Sequence, residues 1–379
     1  MSESRADLVD RVRRRLVAEP AGLEDAVRAE SGGIVDDAVF AGLRRDVEAE
    51  LHGAGPLEPL LATAGVTDVL VNAPDSVWLD RGRGMERTGV TFTGDAAVRR
   101  LAQRLAASAG RRLDDAMPYA DAVLPDGTRL HAVLPPVVAS TTISLRVLAR
   151  RPHDLDGLVA LGAMPPQIAD LLRAAVAARL ALVITGGTGT GKTTLLGALL
   201  GELRPSERLL VIEDAPELVI DHPHVVRLVA RAANVEGAGA IGLRELVRQA
   251  LRMRPDRLVV GEFRGAEMVE LLVALNTGHE GSAATLHANS AADVPARFTA
   301  LGALAGLPAP AVTSLVASAV DVVVHLRRGP DGRRLMAEIG LLSRSADELV
   351  VQSAWTAHEG EREGGARMRS LLRSRGVAA

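Results

Sequence analysis

Gly186, Gly191, Lys192 and Thr193 satisfy the spacing G-x-x-x-x-G-K-[ST]. Glycines at 186, 187, 189 and 191 let backbone N–H groups turn inward around phosphate oxygens. An apolar stretch precedes them, and a helix beginning at Lys192 adds the partial positive charge of its N-terminus. In that setting Lys192 reaches β- and γ-phosphates and the Thr193 hydroxyl ligates Mg²⁺, so ATP and Mg²⁺ are the expected ligands. The nucleotide-binding set is Gly186, Gly187, Thr188, Gly189, Thr190, Gly191, Lys192, Thr193 and Thr194. Of the 44 lysines and arginines, Lys192 is the one lysine. An arginine-rich background replaces lysine wherever a positive charge suffices, but the forked guanidinium does not suit a tight oxygen cage.

Acidic residues close two other apolar runs. Leu258-Val259-Val260-Gly261 ends at Glu262, the pattern of an acid at a strand tip beside the phosphates, where it polarises the attacking water. Leu210-Val211-Ile212 leads into Glu213 and Asp214, with Glu217 shortly after. This cluster suits a metal shell, Asp214 acting directly or through water; the plainer reading is a helix cap by Asp214 ahead of Pro216. His279 and His287 flank a short apolar run. At a strand tip His287 could sense a γ-phosphate or orient a neighbour. A zinc site is argued against by the spacing and by the absence of cysteine. Arg111, Arg112, Arg129 and Arg146 would matter as arginine fingers only if the domain carrying them folds over the nucleotide.

These residues need a frame. Residues 167–345 alternate helix and strand: helices at 168–177, 192–203, 243–252 and 265–275, with strands at 180–185, 208–212, 257–260 and 283–286. That order predicts a parallel sheet covered on both faces by helices, closed by an antiparallel hairpin at 322–326 and 335–341. Residues 51–149 read as a smaller α+β domain. Its expected elements are strands at 68–72 and 77–80, a return strand near 90–92, a helix at 95–107, a hairpin at 120–124 and 130–134, and a strand at 142–147. Prolines and glycines place a linker at 150–166. Residues 1–50 read as a helical segment, and residues 346–379 as a charged C-terminal tail.

The bulk properties agree. The chain has 379 residues, 47% of them apolar and 2% aromatic, so aliphatic side chains must fill its cores. A net charge of −3 lacks the basic excess of a general nucleic-acid binder. No apolar leader stands at the N-terminus. Residues 298–320 carry no charge, but Gly302, Gly306, Pro308 and Pro310 break them into two buried helices rather than a membrane span.

Taken with Gly55-Pro56-Leu57-Glu58-Pro59-Leu60, Val66-Thr67-Asp68-Val69-Leu70-Val71-Asn72, Leu124-Pro125-Asp126-Gly127-Thr128-Arg129 and Arg254-Pro255-Asp256-Arg257, the boxes and their order resemble the secretion and pilus-assembly ATPase superfamily, in particular its CpaF-like tight-adherence (Tad) branch. The resemblance implies a RecA-like P-loop domain with a PAS-like N-terminal domain. It implies a homohexameric ATPase in the cytoplasm, peripheral to the inner face of the cell membrane and docked on an inner-membrane platform protein. It assigns Glu262 as the catalytic acid and places Glu213 and Glu217 in the acidic box. It puts His287 in the histidine box and gives Arg129 and Arg146 the role of reaching the phosphates. Phe263 and Pro216 depart from the family pattern. A nucleic-acid translocase of the same RecA-like class, or a regulatory scaffold that binds ATP without cleaving it, are the competing readings.

Overall fold

The computed structural model describes residues 11–12, 14–15, 22–30, 40–42, 44, 47–48, 53–82, 84–148, 152–231, 238–329 and 331–378. The helical reading of residues 1–50 falls largely outside them; within them lies the helix Leu23–Glu30. The chain divides into two compact units, Met1–Leu148 and Ala149–Ala379.

In the first unit, strands β1 (Asp68–Ala73), β2 (Ser76–Asp80), β3 (Met85–Arg87), β4 (Tyr119–Val123), β5 (Arg129–Val133) and β6 (Thr142–Arg146) form an antiparallel sheet in the order β3-β2-β1-β6-β5-β4. Alternation buries Val69 and Val71 of β1. They share a core with Val98, Leu101, Ala102 and Leu105 of the helix Asp95–Ser108. The return strand expected near 90–92 forms earlier, at β3. The Asp80 carboxylate accepts the Gly82 and Gly84 amides at 2.6 and 3.1 Å, which tightens the turn and pairs Asp80 with Met85. Val90 and Phe92 pack against the core without joining the ladder.

In the second unit, strands β7 (Leu182–Gly186), β8 (Leu209–Glu213), β9 (Val225–Val229), β10 (Arg257–Phe263), β11 (Ala283–Leu286), β12 (Val322–Arg328), β13 (Arg334–Ser345), β14 (Glu348–Thr356) and β15 (Gly360–Glu361) form one sheet. Its order is β15-β14-β13-β12-β7-β11-β10-β8-β9. The run from β12 to β9 is parallel and the other edge is antiparallel. Successive residues of a fully buried strand serve opposite faces. Leu182 and Ile184 join one core with the helices Leu155–Ala160, Pro166–Ala177, Lys192–Gly201 and Gly364–Ser374. Val183 joins the other, with the helices Leu243–Ala250, Glu267–Leu275, Val294–Leu304 and Ala309–Ala319. This is the α/β architecture that the alternation predicts, and the continuous apolar strands are those of a doubly covered sheet. Residues 298–320 do form two helices around Pro308. Among the described residues no helix is long and apolar enough to cross a membrane.

Two further expectations need correction. The stretch read as a linker, 150–166, contains the helix Leu155–Ala160, capped by Asp154 accepting from the Gly157 amide at 2.7 Å. Leu155 and Leu158 sit in the core; residues 150–151 lie outside the described ones. The stretch read as a tail, 346–379, supplies β14, β15 and the helix Gly364–Ser374, whose Met368 and Leu372 are buried. Gly364, at the start of that helix, is a packing glycine: a Cβ on it would stand 2.6 Å from the Ser353 carbonyl oxygen.

Candidate active site

Parallel strands end at a common edge, and the chemistry-bearing residues of the second unit meet there. β7 runs into Gly186, and the helix Lys192–Gly201 begins directly after the loop. Gly186, Gly189 and Gly191 have φ of 147°, 71° and 97°, a region that favours glycine. At Gly186 space is also short, because a Cβ would lie 2.4 Å from the Leu326 carbonyl oxygen and 2.7 Å from Thr190 Oγ1. The Thr190 hydroxyl donates to the Gly187 carbonyl at 2.9 Å, closing the loop on itself. Lys192 is buried, and its ammonium donates to the Gly186 and Gly187 carbonyls at 3.0 and 2.8 Å. It also lies 3.5 Å from His287 Nε2.

His287 follows β11. Its Nε2 stands 2.7 Å from Glu262 Oε1. The other oxygen, Oε2, accepts from Arg264 Nε and Nη2 at 2.9 and 2.6 Å. Arg264 Nη1 lies 3.6 Å from Asp214. Burial, joined by the Lys192 charge, holds His287 below the ordinary histidine range. The register of β10 against β11 shifts between Val260 and Phe263. The Thr285 hydroxyl donates to the Gly261 carbonyl at 2.6 Å within that irregularity, which re-aims Glu262 towards His287.

Glu213 behaves differently from Glu262. It is 3% exposed at the end of β8. Its Oε1 accepts the Glu217 and Leu218 amides at 2.9 and 2.8 Å, and Oε2 accepts Arg227 Nη1 at 3.0 Å. Oε1 thus shapes the loop that carries Asp214 and Glu217, while Oε2 is engaged by Arg227 of the neighbouring strand β9. Burial pushes its carboxyl up from the ordinary glutamate value. Asp214 is exposed, and the partly buried Glu217 acts electrostatically on Arg264. Thr193 is the second residue of the loop's helix. Among the described residues no three His, Asp or Glu side chains cluster to hold a metal. The donor set suits Mg²⁺ carried with a nucleotide, since that ion binds through one or two protein oxygens, phosphates and water. Thr193 and the nearby acids would hold it, and it would supply charge neutralisation at the phosphates.

Arg129 and Arg146 are partners across β5 and β6 of the first unit. Arg146 Nε donates to Asp68 at 3.1 Å. Arg112, in the same unit, pairs with Asp114. His279 is occupied structurally, its Nδ1 bonded to the Ala274 carbonyl at the end of the helix Glu267–Leu275. Arg257 of the Arg254-Pro255-Asp256-Arg257 motif sits at the opposite end of β10. It is 2% exposed and donates to Glu207 at 2.8 Å, to the Gly281 carbonyl at 2.9 Å and to the Val176 carbonyl at 3.2 Å. Two further residues escape the sequence reading, Arg227 and the buried His325, while Arg264 enters it only as part of the motif Gly261-Glu262-Phe263-Arg264 and without a role. The signal for His325 was present, as a polar residue inside the apolar run Val322–Leu326.

The sequence profile of the type II/IV secretion system protein family matches residues 50–369. A putative conjugal transfer protein of Mycobacterium tuberculosis is 54% identical over 350 residues, covering 90% of this chain and 99% of that protein. The type IV secretion system protein PtlH of Bordetella pertussis is 33% identical over 316 residues, covering 75% of this chain and 92% of that one. Among solved structures, the ATPase DotB of Legionella pneumophila is similar with a TM-score of 0.53 at 21% identity, covering 76% of this chain and 79% of that one. The pilus retraction motor PilT with bound ADP has a TM-score of 0.52 at 21% identity, covering 74% and 80%. At that identity the structural likeness is one of fold.

Proposed function

Because the chain belongs to the type II/IV secretion system protein family, we propose that it is an ATP-hydrolysing motor. The observation that carries this reading is the convergence of Lys192, His287 and Glu262, with separations of 3.5 and 2.7 Å along the chain of contacts. In this mechanism the loop 186–194 cradles the phosphates with its backbone amides, and Lys192 exchanges its two loop carbonyls for phosphate oxygens. Thr193 holds Mg²⁺, with Asp214 assisting directly or through water. Glu262 takes up a proton from the attacking water. His287, bonded to Glu262 and close to Lys192, reports γ-phosphate to the carboxylate. Arg129 and Arg146 are proposed, from the family resemblance alone, to add positive charge to the phosphates.

The working assembly is a homohexameric ring in the cytoplasm, docked on an inner-membrane platform protein. There, domain motions driven by binding and hydrolysis become mechanical work. The motif set of the tight-adherence branch favours pilus assembly or protein export as the work done. The relative named for conjugal transfer favours the same motor with another cargo. A net charge of −3 argues against direct, non-specific nucleic-acid binding. The test is ATP turnover measured against protein concentration, with mass by light scattering with and without nucleotide. Specific activity that climbs as a ring assembles supports the motor. Full activity in a strict monomer contradicts it.

A further inference from the structure

His325 is a buried histidine that the mechanism above leaves without a role. Val322, Val323, Val324 and Leu326 surround it in β12, and it is 6% exposed. A hydrocarbon would fill such a position at lower desolvation cost, so the ring must be retained for its bonds. Its Nδ1 lies 2.9 Å from Thr185 Oγ1, and the ring is also hydrogen-bonded to the Asn289 backbone. The first contact is set by the parallel ladder, which pairs His325 with Thr185 and Leu326 with Gly186. Thr185 directly precedes Gly186, whose carbonyl accepts from Lys192. Asn289 lies two residues beyond His287, on the segment leaving β11. One imidazole therefore touches both the strand that bears the phosphate-binding loop and the segment that bears the histidine of the site.

We propose that His325 is a positioning residue that ties the His287 segment to β7 and so fixes His287 against Lys192 and Glu262. The inference rests on the proposed ATP chemistry for its consequence, but not for its geometry. If His325 slackens, His287 shifts by a fraction of an ångström to an ångström. Misplacements of that size cost up to about a hundredfold in rate while leaving the phosphate cradle intact.

The experiment is a double-mutant cycle on the full-length protein with ATP. His325→Leu should lower kcat about tenfold or more, with KM for ATP within about twofold. His325→Gln, which can still bond at both ends, should recover most of the loss. His325→Asn, which is polar but too short, should not recover it, and it stands in if the leucine variant fails to fold. In a His287→Ala background the same His325 substitution should cost less than about twofold more, because the residue it positions is gone. Losses that multiply independently would mark a merely structural role and overturn the proposal.

A second readout needs no turnover. The His287 ring resonances, assigned by their loss in His287→Ala, should shift in the nucleotide-free His325→Asn protein. Unmoved resonances overturn the proposal. Moved resonances in a chain that hydrolyses no ATP would sustain it and sink the motor reading instead.

Discussion

Glu213 and Glu262 looked equivalent as strand-end acids, and substituting Glu213 separates a bracing carboxylate from a catalytic one. Removing its side chain in Glu213→Ala strips the acceptor from two amides. The Leu218 amide is buried and the Glu217 amide partly so. An orphaned buried donor costs about 1–3 kcal/mol, and the half-buried one less because water can reach it. Arg227, about one-third exposed, loses its partner at small cost. The sum is about 2–4 kcal/mol, a fall in Tm of roughly 5–15 °C for a unit of this size. Glu213→Gln keeps a carbonyl oxygen for both amides and should cost about 1 kcal/mol, with turnover within a fewfold of the parent. The pH sign follows from the raised carboxyl. The native chain holds this proton more tightly than the unfolded one, so the contribution of Glu213 is greatest at low pH. It is lost as pH rises from the unfolded to the raised folded value. The stability advantage of the parent over Glu213→Gln should therefore shrink with rising pH across that window. Urea melts at several pH values and phosphate release together provide the assay. A Glu213→Gln protein that is as stable as the parent yet loses turnover more than a hundredfold would refute the bracing role.

Three further outcomes follow from the same geometry. Lys192→Ala should lose ATP binding by at least about a hundredfold in calorimetry, since no other lysine exists to replace it. Arg257→Met leaves the buried Glu207 carboxylate without its main partner and should destabilise by about 3–5 kcal/mol, with KM for ATP unchanged because the pair lies at the far end of β10. His287, held low by burial and Lys192, gives up its proton more readily in the folded chain. Its contribution is thus full above the ordinary histidine value of about 6.5 and is lost as pH falls through the lowered folded value. The stability difference between parent and His287→Asn should narrow between pH 7.5 and 5.5 in urea titrations.

The parts of the fold legible in the sequence were those where local and global preferences agree. β7, β8, β10 and β11 are short apolar runs between helical patterns, and a sheet covered on both faces demands that pattern. The loop at 186–194 was legible because its glycines are required twice, for φ at Gly189 and for space as well as φ at Gly186. The C-terminal edge was less legible, because Gly364 and Gly365 have the composition of a loop, whereas the missing Cβ of Gly364 lets the helix lie against the Ser353 backbone of β14 and that of Gly365 leaves room for the Glu361 side chain of β15. The β3 error has a similar source: Val90 and Phe92 show a strand's composition, but Asp80 had already closed the turn. At the site, residue types announced Lys192, Glu262 and His287. They could not show that Glu213 faces the Glu217 and Leu218 amides, or that Arg264 grips Glu262, because both facts depend on where side chains turn after the strands end.

The central claim is that Glu262, set beside His287 and Lys192, carries the hydrolysis of an ATP held by the loop 186–194. Phosphate release by the purified protein with Mg²⁺, run beside Glu262→Gln at equal occupancy by ATP, tests it most directly. The expected result is turnover by the parent and at least about a hundredfold slower release by the variant, with ATP still bound. Equal rates in the two proteins, or no release by either, would contradict it.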